Sequence, residues 1–183
     1  MEDSLNGDEK DFIGPKLKAV WNQVSRPFTS CPDPVVYDDL DEYDFSYPSR
    51  GVAVIINNVT FENKSPREGA DVDGSNLTQV FSQFGFTDIR YHQDLTAARI
   101  TDVFYKISKE NYKKADCFVC AVSSHGDEYF FDPDENNRKR REEFILGTDY
   151  RPVLTRNILE MFNDKNCPTL KGKPRIFFIQ VCF

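Results

Sequence analysis

This sequence predicts an α/β fold with a mostly parallel sheet and helices on both faces, on two observations. Apolar runs rich in β-branched and aromatic residues recur at residues 51–56, 117–122 and 174–183, the signature of strands buried on both sides. Between them lie segments whose apolar residues fall at i, i+3, i+4 and i+7, one face of a helix. Strands alternating with helices close in parallel through crossovers, and such sheets hold ligands beyond the carboxyl ends of their strands.

The elements follow in order. Residues 1–44 read as an acidic, largely flexible segment, Pro-broken from Cys31-Pro32-Asp33-Pro34 onward, with one helical turn expected at 20–24. Its alternatives are a solvated tail or a removable piece, since Asp41-Glu42-Tyr43-Asp44 offers acidic residues to an Asp-directed protease. Residues 45–183 form the domain. The strand at 51–56 ends in Asn57-Asn58, a turn-forming pair. A polar loop at 62–69 leads to a helix with Leu77, Val80, Phe81 and Phe84 on one face, stopped by Gly85. A short strand is expected at 88–92. Thr96 can cap a second helix whose stripe is Ile100, Val103, Phe104 and Ile107. The strand at 117–122 runs into Ser123-Ser124-His125-Gly126-Asp127-Glu128. Residues 132–143 carry charge without apolar period and predict a solvated loop, with a weak nuclear-localisation reading of Arg138 to Arg141. A strand is expected at 144–149. Pro152 is expected to start a third helix with Leu154, Ile158, Met161 and Phe162 inward.

Composition narrows the function classes. The 183 residues are one domain's length and enough chain for a sizeable core. With 23 Lys and Arg against 30 Asp and Glu, the net charge of −7 gives no support to a nucleic-acid surface. No apolar run approaches a membrane span, and Met1-Glu2-Asp3-Ser4 is unlike a signal peptide, so a soluble cytoplasmic protein is expected. Five cysteines, Cys31, Cys117, Cys120, Cys167 and Cys182, show no disulfide-scaffold spacing. The pair Cys117 and Cys120 has redox-motif spacing but lies inside an apolar run, and zinc would need a second ligand pair. Structural burial is the reading for it, with no metal or cofactor expected.

Two residues stand out chemically. His125 follows one central strand and Cys182 ends another, so the fold brings both to one rim. A cysteine nucleophile needs a base for its proton and N–H donors for the oxyanion. His125 answers the first need, and the amides of Gly126 and Cys182 the second.

The segments Ser124-His125-Gly126-Asp127-Glu128 and Gln180-Val181-Cys182, preceded by Arg67-Glu68-Gly69-Ala70-Asp71-Val72-Asp73, resemble the large subunit of caspases. The caspase cysteine signature with a histidine upstream is an established pattern; here the separation is 57 residues. The resemblance covers roughly residues 45–183. It implies a caspase-like three-layer sandwich (the caspase–hemoglobinase fold) lacking the small-subunit strands. It also implies that Cys182 attacks the peptide carbonyl, that His125 manages the proton, and that Gly126 and Cys182 hold the oxyanion. A backbone carbonyl near Ser65 would orient the imidazole. Arg67 and Gln180 match positions that grip the substrate aspartate before the scissile bond, a role suited to a bidentate guanidinium.

Three departures bear on activity. Val181 stands where the family has Ala, Phe183 where it has Arg, and the small subunit that completes sheet, groove and dimer interface lies outside the sequence. The last strand is then expected at an exposed edge, with a terminal carboxylate that disfavours a nearby thiolate. The function expected is therefore a caspase homologue of the apoptotic pathway without proteolytic activity alone, a pseudocaspase that binds and modulates an intact caspase. The alternative is the large subunit of an active Asp-specific cysteine endopeptidase needing a small subunit in cis or trans. Either way the expected partner is a caspase or its small subunit, paired along the exposed edge.

Overall fold

The strand at 51–56 sets the architecture. In the computed structural model, which describes residues 43–62, 66–131 and 140–182, it becomes β1 (Ser49–Asn57), buried continuously from Val52 onward. Continuous burial requires cover on both faces, and alternation divides the strand between two cores. Val52, Val54 and Ile56 pack with Ile100, Phe104 and Phe118, whereas Ala53 and Ile55 pack with Phe81, Phe86 and Val119. The 20–24 turn, the acidic segment through residue 42, Lys64, Ser65 and the Arg138-Lys139 pair lie outside the described residues.

Helix α1 (Ala70–Gln83) covers the second core and ends where Gly85 takes a φ of 84°. The strand β2 (Asp88–Gln93) returns parallel to β1, in register from Val52 opposite Asp88. Helix α2 (Ala97–Ser108) buries Ile100, Phe104 and Ile107 in the first core, with Thr96 as its N-cap accepting from the Arg99 amide at 3.4 Å. The strand β3 (Ala115–Phe131) lies parallel to β1 on its other side. After β3 come β4 (Arg140–Leu146), β5 (Pro152–Leu154), α3 (Thr155–Met161), a 3-10 turn (Pro168–Leu170) and β6 (Arg175–Cys182).

The parallel strands run β2-β1-β3-β6, and β3 continues past them to pair antiparallel with β4, which pairs with β5. Helices flank both faces, α1 on one and α2 and α3 on the other. No helix among the described residues is long and apolar enough to cross a membrane.

Three expectations need correction. The strand at 117–122 does not end before Ser123 but runs to Phe131, because β4 supplies a second antiparallel partner for Gly126 to Phe131. The charged stretch 140–143 belongs to β4 rather than to a loop: Arg141 pairs with Glu128 across the strands at 3.0 Å, and Glu142 is buried against Arg156 at 2.9 Å. Opposite charges satisfied in this way conceal a strand. Pro152 opens β5, at an edge position that asks for no N–H, and the helix begins three residues later.

Phe118 is the centre of the larger core. It is fully buried, stacked on Phe162 at 4.3 Å and met by Phe177 at 5.7 Å and Tyr112 at 6.1 Å. Phe118→Ala should cost about 3–5 kcal/mol in denaturant unfolding, as for a large aromatic removed from a packed site. A loss under about 1 kcal/mol would show that this cluster does not bear the core.

Candidate active site

The candidate residues gather where the parallel strands end. His125 is the register partner of Cys182 across β3 and β6, and two residues earlier Ser123 is the partner of Gln180. Sequence placed His125 just after a strand; it lies within β3, at the last position shared with β6. The half-buried imidazole packs on Phe61, with ring centroids 4.7 Å apart at 58°, and Tyr150 lies on Phe61's other contact at 5.6 Å. Phe61 is itself buried, so it forms a fixed wall against the imidazole.

Arg67 arrives from the loop after β1. Its Nη1 donates to the Asn58 carbonyl and its Nη2 to the Ser123 hydroxyl, both at 2.9 Å. Its own amide donates to the Val59 carbonyl at 2.9 Å, so backbone and side chain are both tied to the end of β1. Strand alternation sets Ser123 on the α1 face with Val119 and Ala121, and sets Gln180 there with Ile176 and Phe178. Arg67 thus bonds Ser123, whose register partner is the exposed Gln180. A cation and an amide held side by side can bind a carboxylate through charge-assisted hydrogen bonds.

Beneath them lies Asn58, fully buried. Its side-chain amide donates to the Ser124 hydroxyl and the Leu146 carbonyl, each at 3.2 Å, and its Oδ1 accepts from the Leu95 amide at 2.8 Å. The Ser124 hydroxyl in turn donates to the Leu146 carbonyl at 2.6 Å. Asn58 thus joins the exits of β1, β2, β3 and β4. The turn role expected of Asn57-Asn58 is too small for what it does. Asp94, at a φ of 53°, completes the rim by accepting from the amides of Val59 and Thr60 at 2.7 and 2.8 Å.

Gly126 is required for a reason other than an open approach. A Cβ there would collide with the Phe144 carbonyl oxygen and lie 2.6 Å from Val181 Cγ1. Strand β4 and Val181 close on that position from the face opposite Ser123. A cavity of about 290 Å³ opens on this second face, lined by Phe144, Ile179, Val181, Glu128, Arg141 and Glu143. It belongs to the outer side of β6 rather than to the Arg67 cluster.

Cys117 and Cys120 are unsuited to nucleophilic work. Burial pushes Cys117 up to about 12 and Cys120 higher still, which keeps both as neutral thiols packed in the two cores. No group of metal-ligating side chains occurs among the described residues.

Sequence reasoning missed Asn58, Ser123 and Phe61. A buried asparagine reads like a turn asparagine. Ser123 carries no signal apart from preceding the Ser124-His125-Gly126 run, and Phe61 stands alone between polar residues.

The family model described as the caspase domain matches residues 50–183. Caspase-3 of Xenopus laevis is 32% identical over 189 residues, covering 100% of this chain and 62% of that protein. Caspase-3 of Oryctolagus cuniculus is 33% identical, covering 78% of this chain and 47% of the relative. Caspase-7 of Gallus gallus is 33% identical, covering 77% and 41%. The chain thus spans between two fifths and three fifths of the length of these relatives.

Removing the Asn58 side chain should loosen this rim. Asn58→Ala leaves the Leu95 amide without its acceptor inside the protein, and should cost about 2–3 kcal/mol of unfolding free energy. Amide exchange at Leu95 should rise with it. An unchanged unfolding midpoint together with unchanged exchange would show that Asn58 does not organise the strand exits.

Proposed function

The chain belongs to the caspase family, and on that premise we propose that it carries the nucleophile and aspartate-binding half of an Asp-directed cysteine endopeptidase site, completed by a small subunit in cis or trans. The observation that carries this reading is the register: Gln180 opposite Ser123, which holds Arg67, and Cys182 opposite His125 two residues later. In this reading one strand pair carries specificity and reaction two residues apart.

In this reading Arg67 and Gln180 hold the aspartate carboxylate. The Cys182 thiolate attacks the carbonyl carbon that follows, and the oxyanion takes hydrogen bonds from the amides of Gly126 and Cys182. His125, as imidazolium, gives its proton to the departing amine, leaving an acyl-enzyme. Water, its proton drawn by His125, then releases the acid and frees Cys182. The Phe61 ring restricts the imidazole to one orientation through both steps. The carbonyl near Ser65, expected to orient the imidazole, lies outside the described residues.

Strand β6 supports the need for a partner. Among the described residues it pairs with β3 alone, and Arg175 to Ile179 stay only half-buried although Phe177 and Phe178 reach into the two cores. An edge of this kind is a template for another strand. The same edge favours a second reading, a pseudocaspase of the apoptotic pathway that binds an intact caspase and modulates it without cleaving. The cytoplasm is the compartment proposed for either role.

Both readings meet in one assay. The purified chain alone should give no measurable hydrolysis of a reporter peptide with Asp before the scissile bond. Adding a caspase small subunit should produce hydrolysis that Cys182→Ala and Arg67→Ala abolish. Hydrolysis by the chain alone, lost in Cys182→Ala, would remove the need for a partner. If the Cys182→Ala chain changes an intact caspase's activity as the wild type does, the regulatory reading holds instead.

A further inference from the structure

The grip on Arg67 has a part that the family pattern does not supply. Guanidinium recognition of a carboxylate depends on the plane of the group, because its N–H donors form a rigid fork. One hydrogen bond would leave that plane free to swing. Among the contacts of Arg67 are two on different terminal nitrogens, one to a main-chain carbonyl at Asn58 and one to a side chain, Ser123. Of these two anchors only Ser123 can be altered by substitution without moving the backbone.

The chemistry of that anchor matters. Ser123 is 5% exposed, so its hydroxyl meets Arg67 with little competition from water. A hydroxyl accepts from the guanidinium while remaining neutral. A carboxylate at the same place would hold Arg67 as well but would cancel the charge that a substrate carboxylate needs. Ser123 also faces Gln180 across the register, so it fixes Arg67 on the side where Gln180 is exposed.

We infer that Ser123 is the positioning residue for aspartate specificity: its hydroxyl sets the guanidinium plane of Arg67 without neutralising it. This rests on the reading of Arg67 as the aspartate-binding residue, and deepens it. Ser123 acts through Arg67 and takes no part in bond making.

The test uses the full chain with a caspase small subunit added, and two blocked tetrapeptide aldehydes differing only in a final Asp or Asn. Addition of the Cys182 thiol across the aldehyde forms one S–C bond and moves the thiol proton to oxygen, with no other reagent. Wild type should prefer the Asp peptide. Ser123→Ala should reduce that preference about tenfold, the scale of one charge-assisted hydrogen bond, by weakening the Asp peptide while leaving the Asn peptide unchanged. Ser123→Thr, which keeps the hydroxyl, should restore it. A merely structural role would weaken both peptides together. If Arg67→Ala loses the preference and Ser123→Ala keeps it, the inference about Ser123 is wrong and the aspartate reading stands. If wild type and Arg67→Ala show no preference alike, the aspartate reading falls and Ser123 with it.

Discussion

A buried amide governs the carboxyl end of this sheet. Four strand exits converge on Asn58, and the hydrogen-bonding capacity of its side chain is committed: two donors to Ser124 and Leu146, an acceptor to Leu95. Its main chain extends the same junction, donating to the Ser123 carbonyl and accepting from Arg67. A polar group without water costs free energy unless every bond is made, so one geometry satisfies the cluster and displaced ones do not. That constraint reaches the candidate site directly, because Ser123, Ser124 and His125 are consecutive on β3.

The two ends of the sheet are closed by different chemistry. At the amino end, an ion pair and an ammonium held by carbonyls join the elements. Arg50 pairs with the buried Asp116 at 3.3 Å, and Lys173 donates to the carbonyls of Tyr112, Lys113 and Ala115 while lying 3.4 Å over the Tyr47 ring. Burial lifts the Asp116 carboxyl and lowers the Lys173 ammonium from their ordinary values, the mark of groups held there for structure. At the carboxyl end, Arg67 donates to the Asn58 carbonyl and to the Ser123 hydroxyl.

This difference also explains what the sequence discloses. Helix α2 was legible because Ile100, Val103, Phe104 and Ile107 repeat at helical spacing behind a capping Thr96. Strand β1 was legible because burial on both faces leaves a continuous apolar run. The ends of two predicted parallel strands placed His125 and Cys182 at one rim, and the backbone register sets them opposite one another. Strand β4 was hidden because its charges are answered across the sheet, Arg141 by Glu128 and Glu142 by Arg156, partners distant in sequence. Asn58 and Ser123 were hidden for the same reason: a polar residue's partners decide whether it is a turn, a hub or an anchor, and periodicity carries no record of partners.

The strand that carries the site is also the strand that needs covering. Gln180 and Cys182 lie on β6, and β6 is bounded by β3 on one side only among the described residues. A chain that adds to the other side would bond the backbone between Arg175 and Cys182, restricting the residues that the proposed chemistry uses. Covering the edge removes half-buried apolar surface at Phe177, Phe178 and Ile179, a driving force independent of any substrate. In the proposed reading, completion of the site and burial of the edge are one event, with the Asn58 junction holding the β3 side. Regulation by pairing and catalysis by pairing draw on the same strand; what separates them is whether the arriving chain also brings the remaining walls of the substrate groove.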